Sequence, residues 1–380
     1  MRAAVWYEAG SEVIEYHDDV EVDNPGPGEV KVKIHAAGVC HSDLSAMNGT
    51  LPQPAPAILG HEGAGEVIEV GEGAADIAVG DHVIIAWTPP CGMCKACLRG
   101  EANLCVNIMF NIAGSTHFSR GGTPLFGFVG TGTFAEELVV PRQAVVKMSE
   151  DVPYEIGALI GCGVTTGVGA ALNTAKVRPG ANVVVFGGGG VGVAAIQGAR
   201  IAGAAEIVVV DTIDSKLEDA KRFGATRGVK PDGLDDASGE ITGGEGFDYS
   251  FECIGLPLTI RAAYDAVRRG GTAVIVGAGK MDAMVEFNAF ELFFQEKKLL
   301  GSYWGSADVR TEFDRLIRLW KAGRLDLEGM ITARMDISDA QDAFDAMKRG
   351  ETIRQILTFD PSITHTKAAG AGAKAKAKAS

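Results

Sequence analysis

The chain has 380 residues, 46% hydrophobic and 22% charged, the balance of a folded globular protein long enough for two cores. A net charge of −14 argues against a nucleic-acid partner. No apolar run is expected to approach the length of a membrane span, and the opening MRAAVWYEAG lacks the apolar stretch of a secretory leader. The expected setting is therefore cytoplasmic and reducing, and the seven cysteines are read first as metal chemistry.

Residues 1 to about 160 read as many short strands. Val30–Ile34 alternates apolar and polar residues, and Glu66–Val70 and His82–Ala86 are similar. Pro25–Gly28, Gly71–Gly73 and Gly80–Asp81 supply turns between them, which suits an all-β domain built as a small barrel. VCHSD, carrying Cys40, is followed by LGHEGAG, carrying His61, and GCG at 161–163 adds Cys162. Separately each is an ordinary core residue. Together they make a Cys₂His set with a fourth position open, as catalytic zinc sites have.

Between them lies Cys91-x₂-Cys94-x₂-Cys97-x₇-Cys105. Four thiolates at this spacing can close around one tetrahedral metal and leave no place for substrate, which is a structural zinc. The alternative is a disulfide pair or free thiols. Cys253, in an apolar run, is read as plain core.

From Asn182 to Asp211 the chain reads as strand, glycine-rich turn, helix and strand. Val183–Val185 is a β-branched run of the kind buried on both sheet faces. Gly187, Gly189 and Gly192 have the G-x-G-x-x-G spacing, with Gly190 and Val191 opening an Ala-rich helical run to Ala202. The turn brings backbone N–H groups and the positive end of a helix to a pyrophosphate. Asp211 lies 19 residues past Gly192, where a carboxylate can hold the ribose hydroxyls and repel a 2′-phosphate; NAD is expected over NADP. Strand-like runs recur at Phe247–Phe251, Ala273–Val276 and Leu299–Tyr303. They alternate with helical runs at Leu217–Phe223 and Leu258–Arg268, and so predict a parallel doubly wound sheet. Helical runs follow at Thr311–Lys321 and Asp339–Lys348, then the strand-like Gln355–Thr358. The Ala/Gly/Lys tail cannot bury a core and is expected to be disordered.

In this order, GVCHSD, GHEGAG, the four-cysteine loop, GCG and the dinucleotide turn resemble the zinc-dependent medium-chain alcohol dehydrogenases, from about Val5 to Thr358. The Cys₂His set is itself that family's. The resemblance implies an α/β chain: a GroES-like β-rich catalytic domain at 1–163 and 305–360, an inserted Rossmann domain at 164–304, and a disordered tail at 361–380. It implies NAD, two zinc ions per chain and a homodimer or homotetramer. Zinc on Cys40, His61 and Cys162 would act as Lewis acid toward an alcohol, with hydride passing to the nicotinamide.

By the same resemblance Ser42 accepts the alcohol proton. Asp43 and Glu62 orient the imidazole or balance charge at the metal. Thr166 lies near the nicotinamide, Lys216 near the adenosine ribose and Arg354 at the pyrophosphate, and Trp87 walls the substrate pocket. Two positions depart from the family. Ser45 stands where many members end the proton relay in histidine, leaving water or His41 as acceptor, and His41, expected to face the pyrophosphate of the cofactor, replaces an arginine. Met109 stands where glutathione-dependent formaldehyde dehydrogenases carry an arginine, which argues against a glutathione adduct. The expected activity is reversible oxidation of primary aliphatic or aromatic alcohols to aldehydes. The rivals are a formaldehyde–thiol adduct dehydrogenase, an enzyme that retains its NAD, and a non-catalytic dinucleotide-binding protein.

Overall fold

The computed structural model describes residues 1–107, 114–359 and 366–367. Its organising strand is Glu29–Val39, in which the expected Val30–Ile34 alternation runs on into the small residues AAGV. This strand pairs antiparallel with Glu62–Val70, Glu137–Pro141 and Arg354–Thr358. Outward from Glu62–Val70 the same sheet continues through His82–Ile85 to Val145–Lys147; on the other side it runs through Ile331–Asp336 to Thr366–Lys367. A second sheet is ordered Glu15–His17, Ala3–Trp6, Ala57–Ile58, Thr123–Gly127, Phe118–Arg120, Glu21–Val22. In place of one closed barrel there are two sheets, linked by a bridge from Ala3 to Ala135, and the part is not all-β: the helix His41–Met47 sits within it. Cys40 ends the strand and the next residues turn helical, because the Asp43 side chain caps the turn by accepting from the Cys40 N–H.

The third sheet is parallel throughout. Its order is Arg227–Val229, Glu206–Val210, Asn182–Phe186, Phe247–Glu252, Val267–Ile275, Lys298–Gly301. Val183, Val184 and Val185 are wholly buried, as a strand covered on both faces requires. The strand order reverses its direction of growth between Asn182–Phe186 and Phe247–Glu252, so a crevice opens there at the carboxyl ends of the strands. The expected helix Leu258–Arg268 is Pro257–Ala266; β-branched Val267 instead starts the next strand. Strand Leu299–Tyr303 is Lys298–Gly301, and the helix Ala289–Gln295 has no counterpart among the helical runs expected from the sequence.

The expectation of no span-length apolar run does not hold. Tyr154–Thr174 is one helical stretch of 21 residues with mean hydropathy 1.4, long and apolar enough to cross a membrane. Of its most apolar window, 83% is buried inside the molecule, which makes it a core helix: Ala and Gly side chains let neighbouring backbones approach on all sides. It runs continuously past residues 163 and 164. Its turns widen to π geometry at Ile160–Val164 and Ala170–Thr174, and the first wide turn carries Cys162. One core cluster joins Ala36, Ala64 and Ile84 to Val183, Val185 and Phe251 through this helix. Within the tail expected to be disordered, Thr366–Lys367 pairs with Ile331–Asp336; the rest of 361–380 lies outside the described residues, as does Met109.

Candidate active site and metal centres

Three turns of chain converge on one buried point. Cys40 closes the organising strand, His61 and Glu62 open the strand beside it, and Cys162 comes from the wide turn of the core helix. One ligand atom from each of these four residues lies within 4.8 Å of the others, and all four residues are buried. Asp43 sets the geometry. Its Oδ2 accepts from the Cys40 N–H at 3.1 Å, its Oδ1 accepts from the Gly60 N–H at 2.9 Å, and Oδ1 also lies 3.1 Å from His61 Nδ1. With Nδ1 so engaged, Nε2 is turned to the cluster, and it is buried without a hydrogen-bond partner among the described residues.

The electrostatics favour a cation at this point. Burial opposes a charged imidazole, but the Asp43 carboxylate and the Cys40 thiolate outweigh it and push His61 up to about 10. The Cys40 thiol is held well below its ordinary value, first by a hydrogen bond from Cys162 and despite burial; Cys162 is correspondingly raised by that bond and by burial. Two sulfurs, one of them ready to ionise, and an unpartnered imidazole nitrogen fit tetrahedral zinc with a fourth position left for an oxygen ligand. Glu62 is a neighbour with other ties: Oε1 accepts from the Gly163 N–H at 3.2 Å, and Oε2 is ion-paired with Arg354.

The four-cysteine loop also closes on one point. Cys91, Cys94, Cys97 and Cys105 carry free thiols whose sulfurs lie within 4.8 Å of one another. The Cys91 N–H donates to Cys105 Sγ at 3.3 Å, and the Cys94 N–H donates to Cys91 Sγ at 3.3 Å. Backbone donors at Met93 and Cys94 draw the half-buried Cys91 down to about 6, while burial pushes Cys97 up to about 12. Four thiols converging at this distance suit one tetrahedral zinc, with no position spare.

The pocket wall is aromatic. Trp87 meets the His61 ring edge-on with centroids 6.1 Å apart, and Phe128 does so at 5.3 Å. Behind Trp87 stand Tyr303 at 5.6 Å and Trp304 at 4.8 Å. Trp304 donates its indole N–H to the Gly161 carbonyl at 3.2 Å, tying the wall to the Cys162 turn. Sequence reasoning missed Phe128, Tyr303 and Trp304, because they reach the site from positions 67, 242 and 243 residues beyond His61 with no local pattern to mark them. Ser42 is half-buried, and its Oγ lies 3.7 Å from Cys40 Sγ. His41, one residue before, is on the surface; desolvation by the groups around it, with Lys216 and Arg354 nearby, holds its imidazole below the ordinary value despite the Cys40 thiolate.

The glycine turn sits next to this centre. Gly187 has φ +98°, and a Cβ on Gly192 would lie 1.8 Å from the Gly187 carbonyl oxygen, so only glycine lets the helix Gly190–Ala202 start this close to its strand. A Cβ on Gly189 would meet nothing, which leaves the middle of the turn open to a ligand. Asp211 braces the turn: Oδ2 accepts from the Gly188 N–H at 2.7 Å and Oδ1 from the Ile213 N–H at 3.0 Å. Lys216 packs against Gly188. Thr166 hydrogen-bonds Cys162, and the next residue, Gly167, touches Val191, so a single helix links the metal cluster to the cofactor turn. Arg354 makes a second link. It is 4% exposed, paired with Glu62 and packed on Gly190. Its side chain is thus given first to Glu62, although it lies at the turn where a pyrophosphate contact was expected.

Residues 26–150 match the family described as alcohol dehydrogenase GroES-like domain, and residues 190–322 match zinc-binding dehydrogenase. The S-(hydroxymethyl)glutathione dehydrogenase of Escherichia coli O1:K1 is 38% identical over 371 residues, covering 94% of this chain and 99% of the relative. Among solved structures, an alcohol dehydrogenase zinc-binding domain protein from Burkholderia ambifaria superposes with TM-score 0.87 at 33% identity, covering 94% of this chain and 98% of the other. Benzyl alcohol dehydrogenase from Acinetobacter calcoaceticus gives TM-score 0.87 at 29% identity, with coverages of 94% and 99%. Two candidate zinc centres, a glycine-rich turn joined to one of them by a single helix, family matches in both halves of the chain and a relative 38% identical over nearly its whole length lead to one conclusion: this oxidoreductase belongs to the zinc-dependent medium-chain alcohol dehydrogenase family.

Proposed function

We propose that the chain oxidises primary alcohols, aliphatic or benzylic, to aldehydes, reversibly and with NAD. The observation that carries this reading is the joining of the Cys40, His61, Cys162 cluster to the cofactor turn through one helix, under an aromatic wall. When bound, zinc at the cluster supplies Lewis acidity toward the alcohol, and the nicotinamide supplies the hydride acceptor. The protein's own residues do the rest. Asp43 keeps the His61 Nδ1 proton engaged so that Nε2 stays a ligand atom. Ser42 Oγ accepts the alcohol proton as its own hydroxyl proton passes on toward solvent, so the serine relays the proton and does not keep it. Glu62 and Arg354 neutralise each other beside the cluster, so the local charge is set by the sulfurs. Trp87 and Phe128, edge-on to His61, put aromatic bulk beside the cluster, which disfavours a branched secondary alcohol and suits an unbranched chain or a flat ring.

Asp211 supports NAD over NADP, because a 2′-phosphate would meet a carboxylate there. The reading includes a catalytic part at 1–163 and 305–360, a nucleotide part at 164–304, a cytoplasmic location and a homodimer or homotetramer. A second reading, oxidation of a formaldehyde–thiol adduct, is favoured by the name of the relative from Escherichia coli. The test follows NADH formation by the zinc-containing protein with ethanol, benzyl alcohol, and formaldehyde plus glutathione, each with NAD and with NADP. Turnover of benzyl alcohol with NAD well above the other combinations is expected. Turnover only with formaldehyde plus glutathione would give the function to the second reading.

A further inference from the structure

We propose that Glu252 is a positioning residue for the dinucleotide, locking one wall of the cofactor crevice in place before the ligand arrives. The inference rests on the reading of the glycine turn as the cofactor site. In an open parallel sheet the ligand lies beyond the carboxyl ends of the strands, where the strand order reverses. Here that point falls between Asn182–Phe186 and Phe247–Glu252, so the crevice has the glycine turn on one side and the loop after Glu252 on the other. Ile254 stands on that loop. Its Cγ1 lies 2.9 Å from the place a Cβ on Gly187 would take, yet 43% of the residue is exposed: an apolar side chain touching the turn and left open beside it.

Glu252 fixes that loop from beneath. The residue is wholly buried. Its Oε1 accepts from the Ile254 N–H at 2.9 Å, the Gly255 N–H at 2.8 Å and the Thr259 hydroxyl at 2.7 Å. Its backbone carbonyl accepts from the Val276 and Gly277 N–H groups at 2.8 and 2.9 Å. One residue therefore ties the loop, the first turn of the helix Pro257–Ala266 and the end of the neighbouring strand. The loop has no room to shift, since a Cβ on Gly277 would lie 2.2 Å from the Gly255 nitrogen. Glu252 Oε2, by contrast, is buried with no hydrogen-bond partner among the described residues. A buried carboxylate oxygen left unpaired costs free energy, which a shorter polar residue capping the same loop would avoid. What the longer side chain adds is three donors held on one oxygen, two of them from the segment that carries Ile254. A wall ordered in advance spares the ligand the entropy of ordering it.

Losing the clamp should raise the dissociation constant and the KM for NAD, with kcat at saturating NAD and the KM for alcohol little changed. A purely structural role would lower the melting temperature and leave the NAD constants alone. The test compares the full-length, zinc-containing wild type with Glu252→Ala, Glu252→Gln and Thr259→Val, by calorimetric titration with NAD, steady-state kinetics and far-UV circular dichroism. Glu252→Ala is expected to weaken NAD about tenfold or more, and Thr259→Val, which removes one of the three donors, about two- to threefold. Glu252→Gln should bind as the wild type does, because an amide oxygen accepts the same three bonds. A folded Glu252→Ala with wild-type affinity would overturn the proposal, as would Glu252→Gln binding no better than Glu252→Ala. If Glu252→Ala does not fold, Thr259→Val decides by the same criterion. A wild type that binds neither NAD nor NADP would overturn the cofactor reading itself, and this proposal with it.

Discussion

Asp43 shows how much of a metal site is built by a residue that does not hold the metal. Its two oxygens engage the Cys40 N–H, the Gly60 N–H and His61 Nδ1, and all three groups belong to the segments that deliver Cys40 and His61. Asn in its place would turn an NH₂ group toward one or more of these donors, and the imidazole would lose its fixed orientation. Asp43→Asn is expected to weaken zinc at this centre about 10–100-fold, the usual effect of losing such a partner. The check is zinc content by mass spectrometry after dialysis against a weak chelator. The variant should lose the metal of the Cys40 centre and keep that of the four-cysteine loop, which Asp43 does not touch. Retention of both metals would show that the imidazole is held by packing instead. Asp43, Cys40 and His61 were legible in the sequence because they sit inside short motifs. Glu252 was not, because nothing local distinguishes a carboxylate whose partners come from the loop and helix that follow it.

At the scale of elements, the strongest sequence signals were those in which residue type and covering agree. Val183–Val185 and the glycine turn are such a case, and the helix after them ends at Gly203 in the left-handed conformation that glycine takes easily. The helix Tyr154–Thr174 escaped notice for the opposite reason. It is buried nearly all round, so it has no polar face to give a helical period, and its Gly and Ala residues imitate a loop. The helix Val309–Lys321 has clear ends and a clear test. Asp308 caps it, accepting from the Arg310 N–H at 3.2 Å and from the Arg310 side chain at 2.7 and 2.9 Å. Asp308→Ala should cost about 1 kcal/mol of stability at neutral pH. The bond to Arg310 holds the Asp308 carboxyl below its ordinary value, despite partial burial. A depressed value means the carboxylate's contribution is full above the unfolded pKa, about 3.9, and is lost as pH falls through the lower folded value. Denaturant curves should therefore show a constant gap between variant and wild type from neutral pH down to about 4, closing below that. A gap that does not change with pH would mean the cap acts through its shape and not its charge.

For the whole molecule the question is whether the catalytic and nucleotide parts melt as one body. The chain-level plan was legible from the order of the motifs, but the continuity of the core was not, since it depends on which small residues meet across the molecule. Val168 backs onto Gly198 of the helix Gly190–Ala202, in the nucleotide half, and Gly169 lies against Gly305, where the chain returns to the catalytic half, so the core helix is packed by segments of both. Its earlier turns pack on Ala64 and Ile84 through Gly157. Backbone contacts this close cannot separate without exposing apolar surface in both halves together. A single calorimetric transition is expected, and Ile84→Ala, wholly buried on the catalytic side, should lower its midpoint by an amount matching about 2–5 kcal/mol. Saturating NAD should then raise the same transition in wild type and variant alike, by about 2.7 kcal/mol at a hundred times the dissociation constant, although the ligand touches the other half. Two transitions, with NAD moving one and Ile84→Ala the other, would show that the shared helix does not couple them, and the two parts would have to be treated as separate folding units.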